Sequence, residues 1–485
     1  MTVFVLLLSP PVVAALLALV VRPYRAVVGW VAAVLSLVSV MGALGLWSRV
    51  LAGEMPIAGP GEFLRADALS TLLAFCVSLV SALAAWLGPG LGADDGYDPV
   101  QARRFRIFAN LFSFTMLFAV TTNNVGFMWI AIEATTITSA VLIPLHVSKA
   151  SVEASWKYIL IGSVGIALAF AGTVLAFFDF VNVAGRHAAA LNWTVLKAAA
   201  PSLHADVVKL AFVFLLVGYG TKAGLAPMHT WLPDAHSEAP APLSAMMSGV
   251  LLAVALYAII RWAVVTSAAV GHGFAERFLL ALGLLSLAIA AFSLLVQRNY
   301  KRLLAYSSIE HTGLMCVGLA LGPLGTFAAM LHLLSHALGK SMLFGLSGRV
   351  LRRYGSAEIG RVRGLMKAMP WTGAFFAAGA LGLAGLPPSG IFISEFVLVR
   401  AGLAAGQWWT MGLVLALLAV AFVGVQSHVN RMLYGTPSAE VRVGEAAGWS
   451  LVPLALCLSA LVVLGIMIPA PLERLVAQVV EITAK

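Results

Sequence analysis

Apolar runs of about 20 residues, separated by short polar linkers, recur along the whole chain. A helix needs about 20 mostly apolar residues to cross the hydrocarbon core of a bilayer. The pattern predicts fourteen such segments: 3–21, 26–48, 66–88, 104–121, 123–146, 155–178, 205–224, 240–265, 273–297, 301–322, 323–349, 370–400, 406–430 and 446–470. The linkers inside 104–146 and 301–349 are only Thr-Thr-Asn-Asn and Gly-Pro. Segment 370–400 is long enough to predict a helix broken in the middle.

Composition agrees with this all-α, polytopic membrane reading. The chain is 61% hydrophobic and 10% charged, whereas soluble domains are about one quarter charged. The net charge of +10 is therefore read as basic linkers, not as a nucleic-acid surface. Lys and Arg concentrate after the odd-numbered segments, most densely in GRVLRRYGSAEIGRVRGLMK, 348–367. That bias predicts those linkers in the cytoplasm and both termini outside. Arg22 and Arg25 follow the first apolar run rather than precede it, so the expectation is a retained first helix, not a cleaved signal. Cys76, Cys316 and Cys457 lie far apart in apolar segments, which offers no grouped thiolates for an iron–sulfur cluster. No P-loop or dinucleotide fingerprint is present, and no linker is large enough for a nucleotide fold. No active site of its own, cofactor or metal is expected in the chain.

Two apolar segments are interrupted in the same way. Residues 222–227 read KAGLAP and residues 383–388 read LAGLPP, five segments apart. Each break sits beside an ionisable residue, Lys222 in the first and Glu395 in the second. A weaker echo at the same offset pairs AIEAT around Glu133 with SIEHT around Glu310. An odd offset makes equivalent helices run in opposite directions. The expectation is an inverted repeat, with units 104–265 and 273–430. In transporters built this way, Gly/Pro-interrupted helices at matching positions mark the ion site.

Charges inside these segments need a reason. A lysine at the bilayer centre costs roughly 2.5–3.5 kcal/mol even on insertion scales, and intramembrane ionisable residues face cavities or partners. Lys222 is the expected partner of Glu133. At about 4 Å and an effective dielectric near 20, such a pair gains about 4 kcal/mol before desolvation. A static bridge that orients two helices is the bland alternative to proton loading. His332, His336 and Lys340 fall at i, i+4 and i+8 and share a helix face. The same histidine spacing suits zinc or a haem iron. No other segment offers a paired histidine run, and Lys340 would repel a cation, so a proton relay fits better. Glu395, just after the second break, completes an alternation of acids and bases: Glu133, Lys222, His332, His336, Lys340, Glu395. Lys301, Glu310, His311 and His229 are further candidates.

At these residues the chain resembles the antiporter-like, proton-translocating subunits of respiratory complex I, group 4 membrane-bound hydrogenases and Mrp antiporters. The motifs are WIAIEATT, GTKAGLAPMHTWLPDAHSEAPAPLSA, KRLLAYSSIEHTGLM, HLLSHALGKSMLF and GLPPSGIFISEF. The wording of the second is closest to the hydrogenase-4 component F type. The resemblance implies Glu133 and Lys222 as the input pair, Lys340 with its histidines as the central link, and Glu395 as the exit. It implies partners: other membrane subunits and a peripheral redox arm, whose hydrogenase-like and iron–sulfur subunits carry the nickel–iron and iron–sulfur centres. It also implies a bacterial-type cytoplasmic (inner) membrane. An Mrp-type cation/proton antiporter subunit, free of redox chemistry, is the alternative. Two departures stand out. Several relatives carry a lysine in the eighth helix where this chain has Ala253, and the chain stops soon after the fourteenth segment, without a long lateral helix.

Overall fold

Backbone polar groups in a lipid core must be satisfied within the chain, and helices do this segment by segment. The computed structural model describes residues 1–91, 96–445 and 448–484, and these are predominantly helical. The chain opens with α1 (Thr2–Val20) and α2 (Ala26–Leu51). A two-residue antiparallel pair, β1 (Ile57–Ala58) with β2 (Leu64–Arg65), follows in register Ile57 to Arg65. Next come α3 (Ala68–Leu87), α4 (Pro99–Thr121), α5 (Val125–Ala140), α6 (Lys149–Ala184), the short α7 (Trp193–Ala199), α8 (Ala205–Ala223) and α9 (Trp231–Glu238). The next helix starts as α10 (Ala241–Met246), passes through a π-helical turn at Met247–Leu251 and continues as α11 (Leu252–Val270). The second half holds α12 (Phe274–Leu295), α13 (Tyr300–Leu319), α14 (Gly322–Tyr354), α15 (Leu365–Ala368), α16 (Pro370–Leu383), α17 (Gly390–Ala404), α18 (Trp408–Leu433), α19 (Val452–Ile466) and α20 (Ala470–Ala484).

Helix falls within each of the fourteen expected segments. Among the described residues, eight helices are long and apolar enough to cross a membrane. α20 lies beyond the last expected segment. It is amphipathic, burying Leu472, Leu475, Val476 and Val479 against α14 and α3. Its charged face leaves too little apolar length for a spanning signal.

Helix ends follow from local chemistry. Asp67, Asn124, Asn299 and Ser389 cap α3, α5, α13 and α17 by accepting from free backbone N–H groups. Such caps contribute about 1 kcal/mol each. The two breaks have the same local form. α8 ends at Gly224 with φ 73°, and α16 is followed by Gly385 with φ 73°. Leu225 N donates back to Gly220 O (2.9 Å), and Leu386 N to Leu381 O (3.1 Å), so both ends close by the same six-residue bond. The Ala226–Pro227 and Pro387–Pro388 peptides are both cis.

The bundle is ordered by side-chain size. In α6 the buried face carries Gly162, Gly165, Ala169, Gly172 and Ala176 beside Tyr158, Ile166 and Phe180, while Trp156, Leu160, Val164, Phe170 and Phe178 point outward. Small residues let helix backbones approach, and large apolar ones meet lipid. A Cβ on Gly218 of α8 would stand 2.5 Å from Ala169 N of α6. Gly283 of α12 and Gly313 of α13 form an equivalent seam, each leaving 2.7 Å to the other's carbonyl. The central helices are α3, α10–α11, α13 and α14, which are buried on nearly every side. At one end of the core, Arg261 of α11 holds Asp67 through two bonds of 2.6 and 2.7 Å and stacks 4.4 Å over Trp193.

Candidate functional site

α5, α6 and α8 build the first cluster. Glu133 on α5 accepts hydrogen bonds from Thr136 Oγ1 and from Ser163 Oγ of α6, both at 3.0 Å. Lys222, fully buried in the last turn of α8, donates to that same Thr136 hydroxyl. Its ammonium lies 4.7 Å from the centre of the Tyr158 ring, a cation–π contact. Gly162 makes the room, because a Cβ there would stand 3.0 Å from Lys222 Nζ. The expected Glu133–Lys222 pair is therefore indirect: one hydroxyl bridges them. Glu133 is partly exposed at the edge of the chain, whereas Lys222 is enclosed.

α9 lies between the halves, packed on both α6 and α13. Trp231 Nε1 donates to Thr221 O at 2.9 Å and so ties α9 to the broken end of α8. His236 is fully buried, stacks 5.1 Å from the Phe344 ring of α14, and has no hydrogen-bond partner for either ring nitrogen among the described residues. Lys301 Nζ donates to Ser237 O (2.8 Å) and Ala239 O (2.6 Å) at the C-terminal end of α9, where a cation is favoured. His229 is buried beside Tyr306, with ring centres 6.4 Å apart.

α13, α14 and α17 build the second cluster. Lys340 of α14 donates to Leu304 O (2.8 Å) and to Ser307 Oγ of α13. Glu310 and His311 sit one turn further along α13, and with Ser307 they line a small cavity. His311 Nδ1 meets His332 Nε2 at 3.0 Å, and His332 Nδ1 meets Ser394 Oγ of α17 at 2.9 Å. The His336 ring lies 5.3 Å from that of His311. Ligand atoms of His311, His332 and Glu395 lie within 4.8 Å of one another. The Glu395 carboxylate folds back over Gly385, where any Cβ would collide with it.

Most candidates gather in two groups, while Lys301 and His229 stand around α9. Glu133 and Lys222 meet through Thr136; His311, His332, His336, Lys340, Glu310 and Glu395 cluster around α13. His311 stands at the centre of the second group. Thr136, Tyr158, Ser163, His236, Ser307 and Ser394 were not legible as functional residues. The one available signal was Thr136, which stands at i+3 from Glu133.

Residues 122–420 match the family model described as "NADH:quinone oxidoreductase/Mrp antiporter, TM". Every candidate side chain falls inside that range. The chain belongs to this antiporter family. It is 36% identical over 428 residues to a hydrogenase-4 component F homolog of Methylacidiphilum infernorum, a match spanning 85% of this chain and 88% of the relative. The expected likeness to the component F type holds. Among solved structures, a chain of the membrane-bound sulfane sulfur reductase, an archaeal respiratory membrane complex, superposes with a TM-score of 0.89 at 24% identity, covering 100% of this chain and 98% of that one. A chain of the Mrp complex from Dietzia sp. DQ12-45-1b gives 0.85 at 20% identity, covering 100% and 99%. These two establish the antiporter-family fold.

Proposed function

We propose that the chain moves protons as a membrane subunit of a redox-driven complex of the hydrogenase-4 or complex I type. The proton passes from Glu133 and Lys222 towards Lys340 and the histidines, and leaves through Glu395. The observation that carries this reading is the hydroxyl of Thr136, which donates to Glu133 and accepts from Lys222. A proton handed from Lys222 to Thr136, while Thr136 hands its own to Glu133, converts an ion pair into a neutral pair with no heavy atom displaced. The reverse step reloads the lysine. His311 and His332, joined ring nitrogen to ring nitrogen at 3.0 Å, form a second short link. His236 and Lys301, on and against α9, lie on the way between the two.

On this reading the fourteen helical segments all span, and units 104–265 and 273–430 are inverted repeats whose breaks follow Lys222 and precede Glu395. The site lies in a bacterial-type cytoplasmic membrane with both termini outside. Electron transfer, with its nickel–iron and iron–sulfur centres, belongs to partner subunits that pack beside this chain. The hydrogenase-4 relative favours a redox-driven partner.

The test is proton uptake into proteoliposomes holding the purified complex, followed with a pH-sensitive dye. Lys222→Ala and Glu133→Ala are each expected to abolish uptake with the complex still assembled. Uptake surviving in both variants would leave only a static bridge between α5 and α8. Co-purifying nickel and iron–sulfur subunits are expected; small membrane subunits without metal would instead favour the Mrp-type antiporter.

A further inference from the structure

We propose that His311, His332 and Glu395 form a binding site for a borderline divalent metal ion, Zn2+ above all, and that the ion acts there as a plug. Two imidazoles and one carboxylate are a known zinc donor set that leaves a fourth position open. Here they come from three different helices, α13, α14 and α17. This is a different arrangement from the His332–His336 spacing on one helix face.

The hydrogen bonds around the trio prepare it for a metal. Ser394 Oγ commits its proton to Ile391 O at 2.7 Å. It must therefore accept from His332 Nδ1, which lies 2.9 Å away. That fixes His332 with its proton on Nδ1 and a lone pair on Nε2, aimed at His311. Metal-bound histidines are oriented by this kind of outer bond from the second ring nitrogen. His311 Nδ1 faces the same point at 3.0 Å, and its Nε2 is buried with no partner among the described residues. His311 can thus carry its one proton on Nε2 and free Nδ1 for the metal. All the ligand atoms lie within 4.8 Å of one another. In a tetrahedral zinc site, bonds of about 2.0–2.2 Å place ligand atoms roughly 3.3–3.5 Å apart. To reach it, the two ring nitrogens, 3.0 Å apart, must part by a few tenths of an ångström and the Glu395 carboxylate must draw in from within 4.8 Å.

Charge and access agree. His311 and His332 are enclosed, but Glu395 is partly exposed and gives the ion a way in. The nearest cation, Lys340, is held by bonds to Leu304 and Ser307, one to two turns back along α13 from His311. Glu310 adds a second carboxylate on the same helix. A bound ion would take the position of the proton shared by His311 and His332 and would occupy the Glu395 carboxylate. The consequence for transport rests on the relay proposed above; the binding itself does not.

The experiment uses the purified complex, stripped with chelator and then titrated with zinc chloride. Bound zinc is counted after desalting, and its ligands are read by X-ray absorption. The expected result is one tight zinc with two imidazoles and one carboxylate. Binding should weaken at least tenfold in His311→Gln, His332→Gln and Glu395→Gln, and stay unchanged in the exposed control His272→Gln. His332→Cys should keep the ion and show one sulfur at about 2.3 Å. No tight zinc in the wild-type complex, or tight zinc with no sulfur in His332→Cys, overturns the site. Proton uptake is then measured with and without zinc. Zinc bound at the trio with uptake unslowed supports the site and sinks the relay through this cluster. Uptake that ignores zinc because none binds overturns the site and leaves the relay standing.

Discussion

The Thr136 hydroxyl joins Lys222 to Glu133, accepting from the first and donating to the second. Thr136→Val keeps the shape and removes that hydroxyl. Proton uptake should fall at least about tenfold, equivalent to about 1.4 kcal/mol of barrier, with the complex still assembled. Thr136→Ser should restore most of it. Equal uptake in the wild type and Thr136→Val would show that the proton does not cross this bridge.

Gly385 carries two constraints at once. Its φ of 73° is left-handed, and the space beside it holds the Glu395 carboxylate. An L side chain in that conformation costs roughly 1–2 kcal/mol. Gly385→Ala should lower the thermal unfolding midpoint and reduce proton uptake, because Glu395 must move. Gly412 in α18 is the control, since a Cβ there meets nothing within 4 Å. Gly412→Ala, in the interior of α18, should leave uptake unchanged and hold or slightly raise the midpoint.

Glu445, in the linker between α18 and α19, makes stability depend on pH. Burial pushes its carboxyl up, but hydrogen bonds from Arg349 and Thr372 outweigh burial and hold it below the ordinary carboxylate range. Its stabilising contribution is therefore complete above the unfolded-state value and is lost as pH falls through the lower, folded value. Unfolding midpoints between pH 7 and pH 3 should decline more steeply in the wild type than in Glu445→Gln. Parallel curves would show that this ion pair adds nothing.

The broken helices were legible because Gly and Pro act locally: KAGLAP and LAGLPP dictate a left-handed residue and a helix stop wherever they occur. Glu133, Lys222 and Lys340 were legible because charge in an apolar run demands compensation. The bridge itself was not. A threonine hydroxyl within a helix usually bonds to its own preceding turn, and only the approach of α8 gives Thr136 a different task. His236 was hidden because its short helix forms after a break, where no periodicity announces depth. His311 stands among the further candidates because the sequence leaves its depth in α13 open, though the fold puts it at the centre of the second cluster. Apolar length alone does not predict α20, since its pattern is a stripe rather than a run.

α14 runs unbroken from Gly322 to Tyr354, and its basic end includes Arg349, bonded to Glu445 at 2.6 Å. At 1.5 Å per residue, Lys340 lies about 13 Å along the axis from that ion pair. The helix is thus a single rod with titratable groups at one stretch and a largely buried ion-pair latch at its end. Sliding the latch would slide His332, His336 and Lys340 together, without changing the spacing among them. Only their partners on α13 and α17 would change register. In mechanical terms α14 is a keyed shaft, whereas α8 and α17 each adjoin a break.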